Sequence, residues 1–228
     1  MIPCTVPAAE LAARLAGVRR RIEAAGGDPE AVRVVGVTKG FDRSAVERAR
    51  EAGLADLGES YAQEMVAKAP GPEPGLRWHW VGRLQRNKVR QVAPLVALWH
   101  SIDRAELGAE VARRAPGASV LAQVNTSGEA SKAGCPPGRV AALVADLRAE
   151  GLAVAGLMTV AAPGPAAARA CFRTLRELAD DLGLPERSMG MSDDLEAAVA
   201  EGATLVRVGT ALFGPRGGGV ASAPDTTS

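Results

Sequence analysis

The sequence of 228 residues predicts one closed (β/α)8 barrel with an extra helix in front of it. Three observations predict this fold. Short β-branched runs alternate eight times with Ala/Arg/Glu-rich helical stretches, at about 28 residues per unit. Such alternation implies a parallel sheet with right-handed crossovers, and eight units close into a barrel of about 250 residues, near the length here. No G-x-G-x-x-G follows the first strand, which weighs against an open, doubly wound sheet. Aromatic residues make up 3% of the chain, so the core is built from Val, Leu and Ala.

The elements follow in order. Leu11, Leu15, Val18 and Ile22 recur at helical spacing, and Gly26-Gly27-Asp28-Pro29 stops that first helix. Val32–Thr38 reads as the first strand and Ser44–Ala52 as its helix. Ala55–Gly58 and Tyr61–Lys68 form the second unit, and Arg77–Val81 with Asn87–Ala93 the third. Ala97–Ser101 leads to Arg104–Arg114, and Ser119–Val124 to Gly138–Glu150. Ala153–Met158 leads to Ala166–Leu182, and Arg187–Met189 to Asp193–Ala200. Thr204–Val208 is the last strand, with a short helix near Ala211. Residues 1–216 read as one domain. The stretch 217–228 is rich in Gly, Ser and Pro and reads as a disordered tail.

Composition excludes several classes. Lys and Arg total 27 and Asp and Glu 26, a balance that argues against a nucleic-acid binder. No apolar run approaches the ~18 residues of a membrane span, and the first helix, with Glu10 and Glu23, does not read as a targeting peptide. The three cysteines, Cys4, Cys135 and Cys171, are scattered, which fits a reducing cytoplasm rather than a disulfide framework. With two histidines and no ligand spacing, no metal site is expected.

Lysine is rare: Lys39, Lys68, Lys88 and Lys132 stand among 27 basic residues. Lys39 closes the first strand, at the C-terminal rim where such barrels build their sites. An amine there is partly desolvated, which favours the neutral nucleophile and a Schiff base with an aldehyde. The alternative is a rim lysine in a surface ion pair. Ser192-Asp193-Asp194 follows the seventh strand, with Ser192 placed to cap the next helix. Arg207-Val208-Gly209-Thr210 closes the eighth strand. Loops after strands 7 and 8 commonly hold phosphate in these barrels, although either loop alone also reads as plain helix capping. An aldehyde-capturing lysine beside a phosphate cradle suits pyridoxal 5′-phosphate. Arg207 then suits the pyridine nitrogen, which a charged guanidinium would keep unprotonated, weakening the electron sink.

Eight stretches carry a resemblance nearly end to end: VVGVTK (34–39), LGESYAQE (57–64), WHWVGRLQRNK (78–88), HSIDR (100–104), VNTSGEASKAG (124–134), GLMTV (156–160), SMGMSDDLEAAVAEGAT (188–204) and VRVGTALFG (206–214). The sequence resembles the pyridoxal-phosphate homeostasis protein family, small barrels related to the N-terminal domain of alanine racemase. The resemblance implies that Lys39 carries the cofactor as an internal aldimine and that Arg207 faces the pyridine nitrogen. It also implies that Ser192, Gly209, Thr210 and the Val208 backbone hold the phosphate. Ser60 stands where the family usually has Asn, so a contact made there is altered, and Gly40-Phe41-Asp42 also departs from the commoner pattern.

Other residues read more plainly. His79, between Trp78 and Trp80, reads as a packed rim residue, with lining of the cofactor ring as the alternative. Asn87 and Lys88 could bind an anion or cap a helix. Lys132 reads as a solvated loop lysine that could also accept the aldehyde in transfer. Met158 either touches the ring or fills the barrel top, and Cys135 reads as incidental. Racemisation needs a second base, and the chain has no residues for the separate domain that supplies it in alanine racemase. The resemblance therefore implies intracellular cofactor buffering or delivery to pyridoxal-phosphate-dependent apo-enzymes, by a cytoplasmic monomer without robust catalysis. A weak or specialised amino-acid racemase is the alternative. A sugar-phosphate Schiff-base enzyme is a third reading, and it leaves Arg207 without a use.

Overall fold

The computed structural model describes residues 1–71 and 73–215; the tail expected at 217–228 lies outside the described residues. Its elements are α1 (Ala8–Ala24), β1 (Arg33–Val37), α2 (Arg43–Glu51), β2 (Asp56–Glu59), α3 (Ala62–Lys68), β3 (Arg77–Trp80), α4 (Arg86–Val92) and β4 (Val96–Ile102). They continue with α5 (Ala105–Arg114), β5 (Ser119–Gln123), α6 (Val140–Ala149), β6 (Ala153–Met158), α7 (Pro165–Asp181), β7 (Glu186–Ser188), α8 (Leu195–Ala200), β8 (Leu205–Val208) and α9 (Thr210–Phe213). A short 3-10 turn, Pro137–Arg139, precedes α6. The strands are parallel and close in sequence order from β1 to β8, with β1 pairing β8 through Val35 and Arg207. The predicted (β/α)8 barrel with its extra helix is the observed fold.

Local chemistry explains the elements. The predicted apolar face of α1, Leu11, Leu15, Val18 and Ile22, is buried, and Gly26 ends the helix at φ +87°, a left-handed position that suits glycine. Asp42 caps α2 by accepting the Ser44 N–H at 2.9 Å. The helices cover the barrel with stripes such as Ala168, Cys171, Phe172, Leu175 and Ala179 of α7. Most predicted boundaries lie within two residues of those observed, as expected where ends fray.

The barrel interior has two unlike halves. Val35, Leu98, Leu121, Met158 and Leu205 form a small apolar cluster separate from the main core beneath the helices. Met158, 1% exposed, belongs to this cluster. Alongside it runs a buried polar set: Asp56, His79, His100, Ser188 and Arg207. At the N-terminal floor, Arg33, Arg77, Ser119 and Glu186, the first residues of β1, β3, β5 and β7, line a cavity of about 150 Å³ with His79.

Gly156 shows how tightly the barrel closes. It pairs with Glu186, and a Cβ at position 156 would lie 2.0 Å from the Glu186 carbonyl oxygen. That contact is backbone, so it cannot be relieved by a rotamer change. Gly156→Ala is expected to cost about 3 kcal/mol, the upper end for overpacking, read as a lower urea midpoint. An unchanged midpoint would mean that β6 and β7 separate freely.

Candidate functional site at the barrel mouth

Lys39 lies just past β1 in a tight turn. The Thr38 N–H donates to the Gly58 carbonyl at 3.0 Å, the Phe41 N–H donates to the Thr38 carbonyl at 3.1 Å, and Gly40 takes φ +84°. Lys39 is half-buried at the C-terminal rim, as expected.

A buried ionic cluster clamps the backbone on both sides of Lys39. Lys68, at the end of α3, donates to the Thr38 carbonyl at 2.8 Å, to Glu64 at 3.0 Å and to Glu59. Glu64 accepts the Gly40 N–H at 2.7 Å. Glu59 also accepts the Thr38 hydroxyl at 3.1 Å and the Ser60 N–H at 2.8 Å. The side chains of Lys68 and Glu59 are both fully buried. Burial pushes the Glu59 carboxyl up from the usual range, against the pull of Lys68. The carbonyl before Lys39 and the N–H after it are therefore fixed by charged groups, which ties the turn to α3.

The loops after β7 and β8 meet beside this turn. Ser192 was expected to cap α8; instead α8 starts at Leu195 with Asp194 in the cap position, and Asp194 accepts the Met191 N–H at 2.6 Å. Ser192 turns its hydroxyl toward the start of α9, where the Ala211 N–H donates to it at 3.4 Å. Ser192 therefore does not cap the helix it was expected to cap; from the loop after β7 its hydroxyl reaches across to the loop after β8. Thr210 opens α9, so its own N–H has no carbonyl of that helix to bond. Gly209 lies against β1: a Cβ there would stand 3.4 Å from the Val37 carbonyl oxygen. A side chain at 209 would fill the gap between this loop and the strand that carries Lys39. Val208 is buried as the last residue of β8.

Two helix-α1 arginines brace these loops from outside. Arg21 donates to the Ser192 carbonyl at 2.8 Å and pairs with Glu196, while Arg14 donates to the Leu212 carbonyl at 3.0 Å.

Arg207 is buried on β8, one strand from Lys39. It donates from Nη1 to the Ser188 hydroxyl at 2.7 Å and from Nη2 to the Thr159 carbonyl at 2.8 Å. Burial pushes its guanidinium down to about 10, so it remains charged at neutral pH. These residues fit pyridoxal phosphate in type: an amine, a fixed cation and hydroxyls at the ends of β1, β8 and β7.

His79 is a correction. It is not a rim residue but lies inside the barrel, 1% exposed, where it meets Asp56 and His100 and lines the floor cavity. Residue 79 is central in β3, and the neighbouring tryptophans Trp78 and Trp80 are buried too. Lys132 donates to the Ala161 carbonyl at 2.8 Å and pairs with Glu129 at 2.9 Å, which ties it to the rim loops. Asn87 and Lys88 lie in a surface groove with Arg86, Arg90, Arg113 and Arg114, on the outer helices. Ser60 is half-buried, and a Cβ at the neighbouring Gly82 would come within 2.6 Å of its backbone. Burial pushes the Cys135 thiol up to about 11, which makes it a poor nucleophile.

Sequence reasoning missed Glu59, Glu64 and Lys68, and also Asp56, His100 and Ser188. The scarcity of lysine offered a signal for Lys68, and the pair of histidines on successive strands offered one for His100.

His100 is buried and its imidazole is held well below the usual value, first by desolvation and also by the positive charge of the nearby Arg207. The folded chain thus refuses a proton that the unfolded chain accepts at about pH 6.5. Stability is complete above that pH and is lost as pH falls through 6.5 toward the lower folded value. Urea titrations from pH 7 to pH 5 should show up to about 1.4 kcal/mol lost per pH unit for this proton. His100→Gln should flatten that slope; an equal slope in the variant would assign the proton elsewhere.

Comparison with known proteins places this geometry. The family model described as alanine racemase, N-terminal domain, matches residues 8–217. The chain is 44% identical over 218 residues to a pyridoxal phosphate homeostasis protein of Pseudomonas aeruginosa, covering 91% of this chain and 94% of that one. It is 39% identical over 230 residues to the Escherichia coli protein of the same name, covering 91% and 97%. PipY of Synechococcus elongatus is 34% identical, with 89% of this chain and 99% of that one covered. Its solved structures match with TM-scores of 0.81 without pyridoxal phosphate (PLP) and 0.78 with PLP bound.

Proposed function

The chain belongs to the pyridoxal phosphate homeostasis protein family, and we propose that it binds pyridoxal 5′-phosphate at the barrel mouth and serves intracellular cofactor homeostasis. The observation that carries this reading is the juxtaposition on adjacent strands: Lys39 after β1, buried Arg207 on β8, and Ser192 and Thr210 on the facing loops. When bound, the cofactor supplies an aldehyde that bonds reversibly to a primary amine.

Each residue has a physical task. Lys39 offers the amine from a turn whose backbone is locked by Lys68 and Glu64. Arg207 presents a fixed positive charge to the ring nitrogen and cannot accept that nitrogen's proton. The hydroxyls of Ser192 and Thr210, with the N–H groups near Gly209, hold the phosphate, and Val208 closes the strand behind them. The Arg207 charge disfavours protonation of the ring nitrogen, so this chain is poorly equipped to hold a carbanion. That favours storage or delivery to apo-enzymes over turnover. No described helix is long and apolar enough to cross a membrane, and the reading places a monomer in the cytoplasm.

The test is the visible spectrum of the purified protein, followed by borohydride reduction and peptide mapping. A yellow protein with the reduced pyridoxyl group on Lys39 is expected. A protein that remains colourless after incubation with pyridoxal phosphate overturns the reading. Rapid exchange of an amino acid's α-hydrogen in deuterated water would favour the racemase alternative.

A further inference from the structure

The barrel interior carries an unbroken file of hydrogen bonds that the binding site does not account for. At the floor, Arg77 grips Asp56 through two bonds of 2.7 and 2.6 Å. Asp56 Oδ1 meets His79 Nε2 at 2.9 Å, and His79 Nδ1 meets His100 Nε2 at 2.9 Å. His100 Nδ1 meets the Ser188 hydroxyl at 2.8 Å, and Ser188 accepts from Arg207 at 2.7 Å. Both imidazoles are at most 1% exposed.

The donors and acceptors close in one direction. Asp56 is ionised: burial favours its neutral form, but the hydrogen bonds from His79 and Arg77 overcome this and hold its carboxyl well below the usual range. A carboxylate only accepts, so His79 donates from Nε2, and a ring with one proton then accepts at Nδ1. His100 must then donate from Nε2 and accept at Nδ1. Ser188 gives its proton to His100 and receives one from Arg207. Every proton has an acceptor with one proton on each ring. In the opposite direction Ser188 would take two donors and leave its own hydroxyl proton without a partner in the file. Buried polar chains of this kind are costly unless fully satisfied, and each bond polarises the next.

We propose that Asp56, His79, His100 and Ser188 are positioning residues for Arg207: the file fixes the guanidinium on the Ser188 hydroxyl and couples the ligand end of the barrel to the ion pair at its floor. The inference rests on the cofactor reading above, because Arg207 is the residue assigned to the ring nitrogen. Coupling is reciprocal, so a ligand at the mouth must be felt at His79.

The chain has two histidines, so 15N-histidine labelling reports two rings without overlap. In the unloaded protein at neutral pH, both rings should show a single proton, on Nε2. Ser188→Ala should shift the His100 nitrogens and, through them, those of His79. Ser188→Thr, which keeps the hydroxyl, should restore both. Loading with pyridoxal phosphate should move both rings in the parent protein, and only His100 or neither in Ser188→Ala. The alanine variant should also release the cofactor roughly tenfold faster, the factor equivalent to one charge-assisted hydrogen bond. A ring protonated on both nitrogens, or a His79 signal indifferent to Ser188→Ala, overturns the file. A protein that takes up no pyridoxal phosphate overturns the cofactor reading instead, and the unloaded spectra then decide the file alone.

Discussion

Lys68→Met should lower the unfolding free energy by roughly 3–5 kcal/mol, the range for breaking a buried ion pair from one side. Lys68 and Glu59 have fully buried side chains, and Lys68 also holds Glu64 and the Thr38 carbonyl. Methionine keeps much of the volume but leaves the Glu59 carboxylate without its cation in a site that water does not reach. It also leaves the Thr38 carbonyl without that donor. A second change tells charge from packing: Glu59→Gln in the Lys68→Met background removes the stranded charge and should recover a substantial part of the loss. Urea denaturation of both variants checks this. A single-variant cost below about 1 kcal/mol, typical of exposed pairs, would show that the cluster is hydrated and not the clamp described here.

Lys39→Ala should abolish covalent retention of pyridoxal phosphate while leaving the barrel folded. The bonds that shape its turn come from the backbone of Thr38 and Gly40 to Lys68 and Glu64, not from the Lys39 amine being replaced. The clamp therefore survives the change. The expected result is a colourless protein, no borohydride-trapped pyridoxyl peptide, and a urea midpoint close to that of the parent. Residual weak binding through the phosphate loops should persist, because Ser192, Thr210 and Arg207 are unchanged. If the trapped group appears instead on Lys132, a rim lysine tied to Ala161 and Glu129 can take over the aldehyde. If it persists at Lys68, the clamp is open in solution.

The architecture was legible because it rests on local periodicity. The α1 stripe and the Val-rich strands state their buried faces within a few residues. That Lys39, Arg207, Gly209 and Thr210 lie together was legible because strand ends in such a barrel share one rim. The capping role expected of Ser192 was misjudged: its place before two aspartates resembled a cap, whereas the loop uses Asp194 on Met191 and turns Ser192 toward Ala211. The polar file was illegible because its partners are remote. Asp56 and His79 are 23 residues apart, and His100 and Ser188 are 88 apart. No spacing rule pairs such residues; only barrel closure does. The flanking tryptophans made His79 look peripheral, although a strand in a closed barrel buries residues on both faces.

The bracing of the mouth by α1 sets an order in time. Arg14 and Arg21 are made early in synthesis, yet the carbonyls they hold belong to Ser192 and Leu212, the latter 198 residues further along. The same holds for β1, whose partner β8 comes last. A growing chain on the ribosome can form helices and the middle strands, but it carries Lys39 on an open edge until the final unit arrives. Such long-range closure is entropically slow. Cofactor capture through these residues is thus deferred until β8 and the loop after it have been made, and a chain still lacking them would expose its amine without the phosphate loops or Arg207 to go with it.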